Sequence, residues 1–177
     1  MKHDYLLALI ILPSMAFSGN DLSPFQIGSS VTFSVIDANE LSSEAMGYKA
    51  TLGYNLNKNV LLEVGYGNFR AFTNSLSDIT PVLTELKWKI PVSGYASLYA
   101  GGGFAFMNSD ANPTAVLGIN YQLTKHWFAE LGYQSIFDIE ASQSDLYALN
   151  FSFVYRFPTS DEMSTTSRSQ EYTNHGF

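Results

Sequence analysis

The chain has 177 residues, which suits one domain, and it carries 15% aromatic but only 14% charged residues, against roughly one quarter charged in an ordinary soluble domain. Its formal net charge of −7 argues against a nucleic-acid partner, because neutralising phosphates takes clustered Lys and Arg. The lack of cysteine argues against a lipoprotein anchor, a disulfide frame and a thiolate metal site.

Residues 1–18 read as an export signal: Lys2 precedes an apolar run from Tyr5 to Phe17, and Ala16-Phe-Ser18 puts small residues at the cleavage positions, so the mature chain is expected to begin at Gly19. From Phe25 onward the apolar residues recur at every second position, the period of a strand whose two faces see different surroundings. The first strand sets Phe25, Ile27, Val31, Phe33 and Val35 against Gln26, Gly28, Ser30, Thr32 and Ser34, and the second sets Tyr48, Ala50, Leu52 and Tyr54 against Gly47, Lys49, Thr51 and Gly53. The third and fourth repeat the pattern, with Leu61, Glu63, Gly65 and Gly67, then Leu83, Glu85, Lys87 and Lys89, on the more polar face. In the fifth to seventh strands that face carries Tyr99, Gly101 and Gly103, then Thr114, Val116, Gly118 and Asn120, then Phe128, Glu130, Gly132 and Gln134. The last strand alternates Tyr147, Leu149, Phe151, Phe153, Tyr155 and Phe157 with Ala148, Asn150, Ser152, Val154 and Arg156. Eight strands, an even number, suit a closed antiparallel up-and-down barrel spanning residues 19–157 with both ends on one side.

Tight turns are expected at 55–59, 91–94 and 123–126, and longer polar loops at 37–45, 70–77, 107–112 and 138–145. In a membrane barrel the short turns lie in the periplasm and the long loops outside. The segment from Tyr54 to Tyr66 aligns without a gap onto Tyr121 to Tyr133, so the second hairpin is expected to recur as the sixth and seventh strands, two four-stranded halves making one ring. Residues 158–177 are polar and aperiodic, and read as a disordered periplasmic tail.

A soluble lipocalin-like barrel alternates too, but its polar face must meet water. Here that face has few charges and much glycine, which suits a narrow packed interior better than an exposed strand. Aromatic residues on the apolar face, among them Tyr48, Tyr54, Tyr66, Trp88, Tyr121, Trp127, Tyr133 and Tyr155, gather near strand ends, as headgroup-level girdles do. With this pattern, the Glu-Val-Gly-Tyr66 and Glu-Leu-Gly-Tyr133 strands and the ending Phe153-Val-Tyr-Arg-Phe157 resemble the OmpA/OmpX-like eight-stranded outer-membrane barrels over residues 22–157. The resemblance implies an outer-membrane location, contact with lipid and lipopolysaccharide, and an assembly signal in Phe151, Phe153, Tyr155 and Phe157 read by the barrel-assembly machinery. The chain departs from the pattern by continuing past Phe157, and it has no room for a peptidoglycan-binding domain, so wall anchoring does not carry over.

The inward set holds Lys49, Glu63, Glu85, Lys87, Lys89, Glu130 and Arg156, and enclosed charges must pair. Glu130 is expected beside Arg156, and through the repeat Glu63 beside Lys87 or Lys89. The network reads as a structural plug; the alternative is a gated, narrow path for ions or small solutes. An enzyme is not expected, because His3, His126 and His175 fall in the signal, a periplasmic turn and the tail, none with a serine at an outer strand end. The acidic loop residues Asp37, Glu40, Glu44, Asp110, Asp138, Glu140 and Asp145, opposed mainly by Arg70, read as a solvated rim without EF-hand spacing, so no metal and no cofactor are expected. The expected protein is a monomeric, non-enzymatic envelope barrel whose outer loops meet a surface ligand that the residues do not name.

Overall fold

The computed structural model describes residues 22–37, 43–72, 79–139 and 144–158. Apolar side chains at period two favour strands over helices, and the order is β1 (Leu22–Asp37), β2 (Ser43–Asn55), β3 (Val60–Asn68), β4 (Val82–Pro91), β5 (Ala96–Met107), β6 (Asp110–Gln122), β7 (Trp127–Ile139) and β8 (Ser144–Pro158). Each strand pairs antiparallel with the next and β8 returns to β1, closing a barrel without a free edge. Lengths run from 9 residues in β3 to 16 in β1, where a tilted strand needs about 9–11 to cross the hydrocarbon.

The two faces fall as the alternation requires. In β1, Phe25, Ile27, Val31, Phe33 and Val35 point out while Gln26, Ser30, Thr32 and Ser34 are buried inside. In β4, Val82, Trp88 and Ile90 are exposed, and Leu83, Glu85, Lys87 and Lys89 are buried. Outward rings pair near both ends of the barrel: Phe25 edge-on to Tyr54 at 4.9 Å and Trp127 with Tyr155 at 5.0 Å at one, Tyr48 with Phe72 and Tyr133 with Tyr147 at 6.2 Å at the other.

The repeat extends further than the matched residues. The offset that places Tyr54 on Tyr121 also places Trp88 on Tyr155, and the register agrees, with Val60 opposite Trp88 and Trp127 opposite Tyr155. Three four-residue turns are built alike: the amides of Leu56, Val92 and Leu123 donate to the carbonyls of Val60, Ala96 and Trp127, each at 2.9 Å. A side chain at the second position of each turn accepts from the backbone three residues on, Asn57 Oδ1 from Val60, Ser93 Oγ from Ala96 and Thr124 Oγ1 from Trp127. The middle turn shares this geometry without sharing the sequence match.

The other end differs from expectation at one hairpin. Residues 107–112 are not a longer loop: Met107 pairs with Asp110, leaving Asn108 and Ser109 as a two-residue turn with φ of 47° and 76°. Positive φ at both central positions is what a tight hairpin's twist demands, and Asn accepts it more easily than most residues. Asp110 is therefore a strand residue. The strands at 37–45 and 138–145 likewise run on to Asp37 and Ile139 and resume at Ser43 and Ser144, and Pro158 pairs with Leu22 rather than opening the tail. The expected signal at 1–18, the tail at 159–177, and Glu40 and Glu140 lie outside the described residues.

At this end the barrel is filled by apolar side chains. Phe69, Ile79, Leu83, Ala105, Ile136, Ile139, Leu146 and Ala148 form one buried cluster, with Phe69, Ile136 and Leu146 fully enclosed. Ile136 continues the inward row of Glu130, Gly132 and Gln134, and the register shift between Ile136 and Ile139, with Asp138 at a φ of 55°, brings Ile139 inward as well. Phe69 is held from two sides, its amide donating to Ile79 at 3.0 Å and its carbonyl accepting from Ser34 Oγ at 2.9 Å.

Interior glycines make room for side chains from across the barrel. Gly118 and Gly132 face each other in β6 and β7, and the buried Tyr99 lies over them. A Cβ on Gly118 would overlap the Leu131 carbonyl and stand 2.6 Å from Tyr99 Cζ and Oη. We predict that Gly118→Ala destabilises the folded barrel by about 1–3 kcal/mol in urea unfolding. Gly94→Ala, in a turn with nothing within 4 Å of the new methyl, should change it by less than about 0.5 kcal/mol.

Candidate functional site

The inward residues of β4 descend through three layers of the interior: Leu83 in the apolar cluster, Glu85 and Lys87 in the middle, and Lys89 toward the four-residue turns. The β8 row does the same with Leu146 and Ala148, then Asn150 and Ser152, then Arg156. Any functional chemistry of the interior therefore lies below the apolar layer.

The middle layer is centred on Lys87. Its Nζ lies 2.5 Å from Glu63 Oε1 and 3.7 Å from Glu85 Oε2, all three side chains at most 5% exposed. Glu85 accepts from Gln134 Nε2 at 2.6 Å, and Gln134 Oε1 accepts from Lys49 Nζ at 3.2 Å and Asn150 Nδ2 at 3.3 Å. The Tyr99 ring stands 5.3 Å below the Lys87 ammonium. One uncharged amide thus joins Lys49 to Glu85, and the free space among Lys49, Glu63, Lys87, Tyr99 and Glu130 is only about 10 Å³, room for about one water.

The structure brings Glu63 to Lys87 and places Glu130 and Arg156 with other partners. Glu130 sits opposite Ser152 and accepts from Asn120 Nδ2 at 2.6 Å. Arg156 lies beside the turn, its amide bonded to the His126 carbonyl, its guanidinium 5.0 Å from the Phe128 ring and its Nη2 3.3 Å from Asn55 Oδ1. The repeat explains the difference. Arg156 occupies the place of Lys89, whose amide bonds the Asn59 carbonyl in the same way, while the place of Lys87, the residue that reaches Glu63, is taken by Val154. The second half keeps the carboxylate and lacks its cation, so Glu130 turns to an amide.

Sequence reasoning overlooked the neutral members. Gln134, Asn55 and Asn120 carry most of the hydrogen bonds that hold the charges, and Phe69 begins the apolar layer above them. The signal was present, since Gln134 and Asn120 had been placed on the inward face, but pairing charge with charge passed over amides. Phe151, Phe153, Tyr155 and Phe157 face outward as expected, and Phe151 meets Phe33 edge-on at 6.2 Å across the β8–β1 seam. Among the described residues no three His, Asp or Glu side chains gather as a metal ion would require.

We predict a coupling between Lys87 and Glu63 larger than that between Glu130 and Arg156. Lys87→Met alone strands two carboxylates and should cost about 3–5 kcal/mol, part of which Glu63→Leu should restore. Glu130→Ala and Arg156→Met, whose charges act on each other without a direct contact, should show the smaller coupling, below about 1 kcal/mol. The measurement is a double-mutant cycle on urea unfolding in lipid vesicles for each pair.

The sequence matches the outer membrane protein beta-barrel domain family over residues 5–157. No curated protein sequence matches it closely enough to count as a relative. Solved structures share the fold at low identity. Neisserial surface protein A gives a TM-score of 0.64 at 11% identity, covering 78% of this chain and 100% of that one. The attachment invasion locus protein Ail of Yersinia pestis gives 0.55 at 12%, covering 77% and 100%. OprG of Pseudomonas aeruginosa gives 0.52 at 12%, covering 79% and 99%. With a closed eight-strand barrel and a family match over most of its length, this chain belongs to the outer membrane β-barrel domain family, in its OmpA/OmpX-like, eight-stranded form.

Proposed function

We propose that this outer-membrane barrel is a non-enzymatic envelope protein whose interior is plugged and whose long connections are displayed at the cell surface. The observation that carries the reading is the closure of the interior by two successive layers: the apolar layer around Phe69, Leu83 and Ile136 lies directly above the Glu63–Lys87–Glu85 layer. A packed side-chain layer opposes a conducting path, and about 10 Å³ of free space at the level of Lys87 holds no hydrated ion. The narrow-channel alternative would need both layers to move together.

Orientation is supported by the three like-built turns, with Leu22 and Pro158 at the same end. That end faces the periplasm and the apolar cap faces outward, as short turns and longer loops lie in such barrels. The export signal at residues 1–18, cleavage before Gly19 and a periplasmic tail after Pro158 complete the topology. The Ail structure solved with the heparin analogue sucrose octasulfate shows that a barrel of this fold can take a sulfated ligand; for this chain the partner of the outer loops is not named by its residues. Lipid and lipopolysaccharide surround the outward face, the barrel-assembly machinery reads the last strand, and the barrel acts as a monomer.

A cysteine at Ser142 should label with an impermeant maleimide on intact cells, and one at Lys125 only after the outer membrane is permeabilised. The opposite pattern reverses the orientation.

Closure by β8 gives the second test. Deleting 159–177 should leave a heat-modifiable, membrane-inserted band, since the described strand β8 closes the seam on β1 from Asp145 to Pro158. Removing Phe157 with everything after it should cause periplasmic accumulation and proteolysis. If the tail deletion alone abolishes insertion, the assembly signal lies in the tail and not in Phe151, Phe153, Tyr155 and Phe157.

A further inference from the structure

Among the described residues, two cations at the four-residue-turn end have no ion pair. Lys89 is only 8% exposed, and it shares with Arg156 a single neutral acceptor, Asn55 Oδ1, at 3.3 Å from each. Asn55 is fixed from behind, its Nδ2 donating to the Pro24 carbonyl at 2.9 Å and to Gln26 Oε1 at 3.1 Å, so its oxygen stays turned to the cations. Among the described residues no carboxylate lies within 4.0 Å of either cation. Glu130, whose field reaches both, is held by Asn120. Arg156 Nε is buried and unbonded, and the Phe128 ring packed on the guanidinium fixes its plane.

These cations line a cavity of about 300 Å³ that opens between the turns at 56–59 and 92–95. That volume lies at the lower end of small-ligand sites, roughly 300–1,000 Å³. Lys58 stands at its rim, Ser97 and Gln122 add neutral polar groups, and none of its lining residues is acidic. Two like charges converging on one amide oxygen repel each other, and an anion between them would offset that repulsion with charge-assisted hydrogen bonds.

We propose that this cavity is a binding site for a small oxyanion, a carboxylate or phosphate group, held by Lys89 and Arg156 with Lys58 at the entrance. Two sources have the right chemistry. One is a free anion of the compartment the cavity faces. The other is the chain itself, because Asp161 and Glu162 follow soon after Pro158, where β8 ends at the same end of the barrel. At roughly 3.3 Å per residue that spacing reaches about 10 Å.

The test titrates the folded full chain with inorganic phosphate at constant ionic strength, in a sugar-headed detergent that carries no phosphate, and follows the ³¹P linewidth. The wild-type chain and Asp161→Asn with Glu162→Gln are compared. Saturable broadening of similar midpoint in both supports the site with a free anion as occupant. Binding on the order of tenfold tighter in the tail variant supports it with the chain's own carboxylates as occupant. Lys89→Met with Arg156→Met should weaken binding by at least about tenfold, and Lys89→Arg, which keeps the charge, should preserve it. Absence of saturable broadening in both the wild type and the tail variant overturns the proposal without relying on the folding of any cation variant. Unchanged affinity in a heat-modifiable Lys89→Met, Arg156→Met barrel overturns it too.

Discussion

Lys87 stands between Glu63 and Glu85 in a space with almost no room for water, and most of the interior is arranged around that fact. An ammonium removed from solvent is tolerable only when its charge is balanced and its partners' remaining lone pairs are occupied. Glu63 supplies the close contact. Glu85 supplies the second charge and passes its other demand to Gln134, which in turn fixes Lys49 and Asn150. The charges at mid-barrel are therefore positioned by neutral amides as much as by one another. Interior glycines such as Gly118 and Gly132 make this possible by leaving space for the Tyr99 ring beneath the ammonium.

The lipid outside imposes the complementary constraint. Backbone groups must all pair within the sheet, so β8 has to close on β1, and the seam carries its own side-chain contact in Phe33 and Phe151. Closure at eight strands fixes the bore, and a bore this narrow fills with side chains. What fills it changes along the axis: apolar where β3 leads into Phe69 and the β7 bulge brings Ile139 in beside Ile136, ionic at mid-barrel, and cationic near the four-residue turns. The proposed plugged scaffold, with a basic mouth at one end, rests on that gradient.

Much of this was legible in the residues because the side-chain period of a strand is two, so Gln26, Lys49, Glu63, Glu85, Lys87, Lys89, Glu130 and Gln134 could be placed inward without any contact being known. The repeat was legible as well, down to the turn of Lys58 and that of Lys125. Its limit was also its lesson. The halves match in backbone register while Val154 replaces Lys87, so an ion pair carried from one half to the other misassigned Glu130 and Arg156. The two-residue turn at Asn108 and Ser109 was missed because its geometry depends on φ, and without glycine those residues looked like part of a longer polar loop. Phe69 was missed because it lies just past the end of β3: it continues the inward row of Leu61, Glu63, Gly65 and Gly67, but the alternation read from the residues stopped at Gly67.

The claim that two packed layers close the interior is tested most directly by reconstituting the folded full chain in a planar bilayer and recording single-channel currents. The account predicts a silent barrel, and predicts that Glu63→Ala or Lys87→Ala alone leaves it silent, since the apolar layer of Phe69, Leu83, Ile136 and Leu146 still closes the outer half. Discrete, reproducible conductance steps from the wild-type chain, altered in size by either change at mid-barrel, would contradict it.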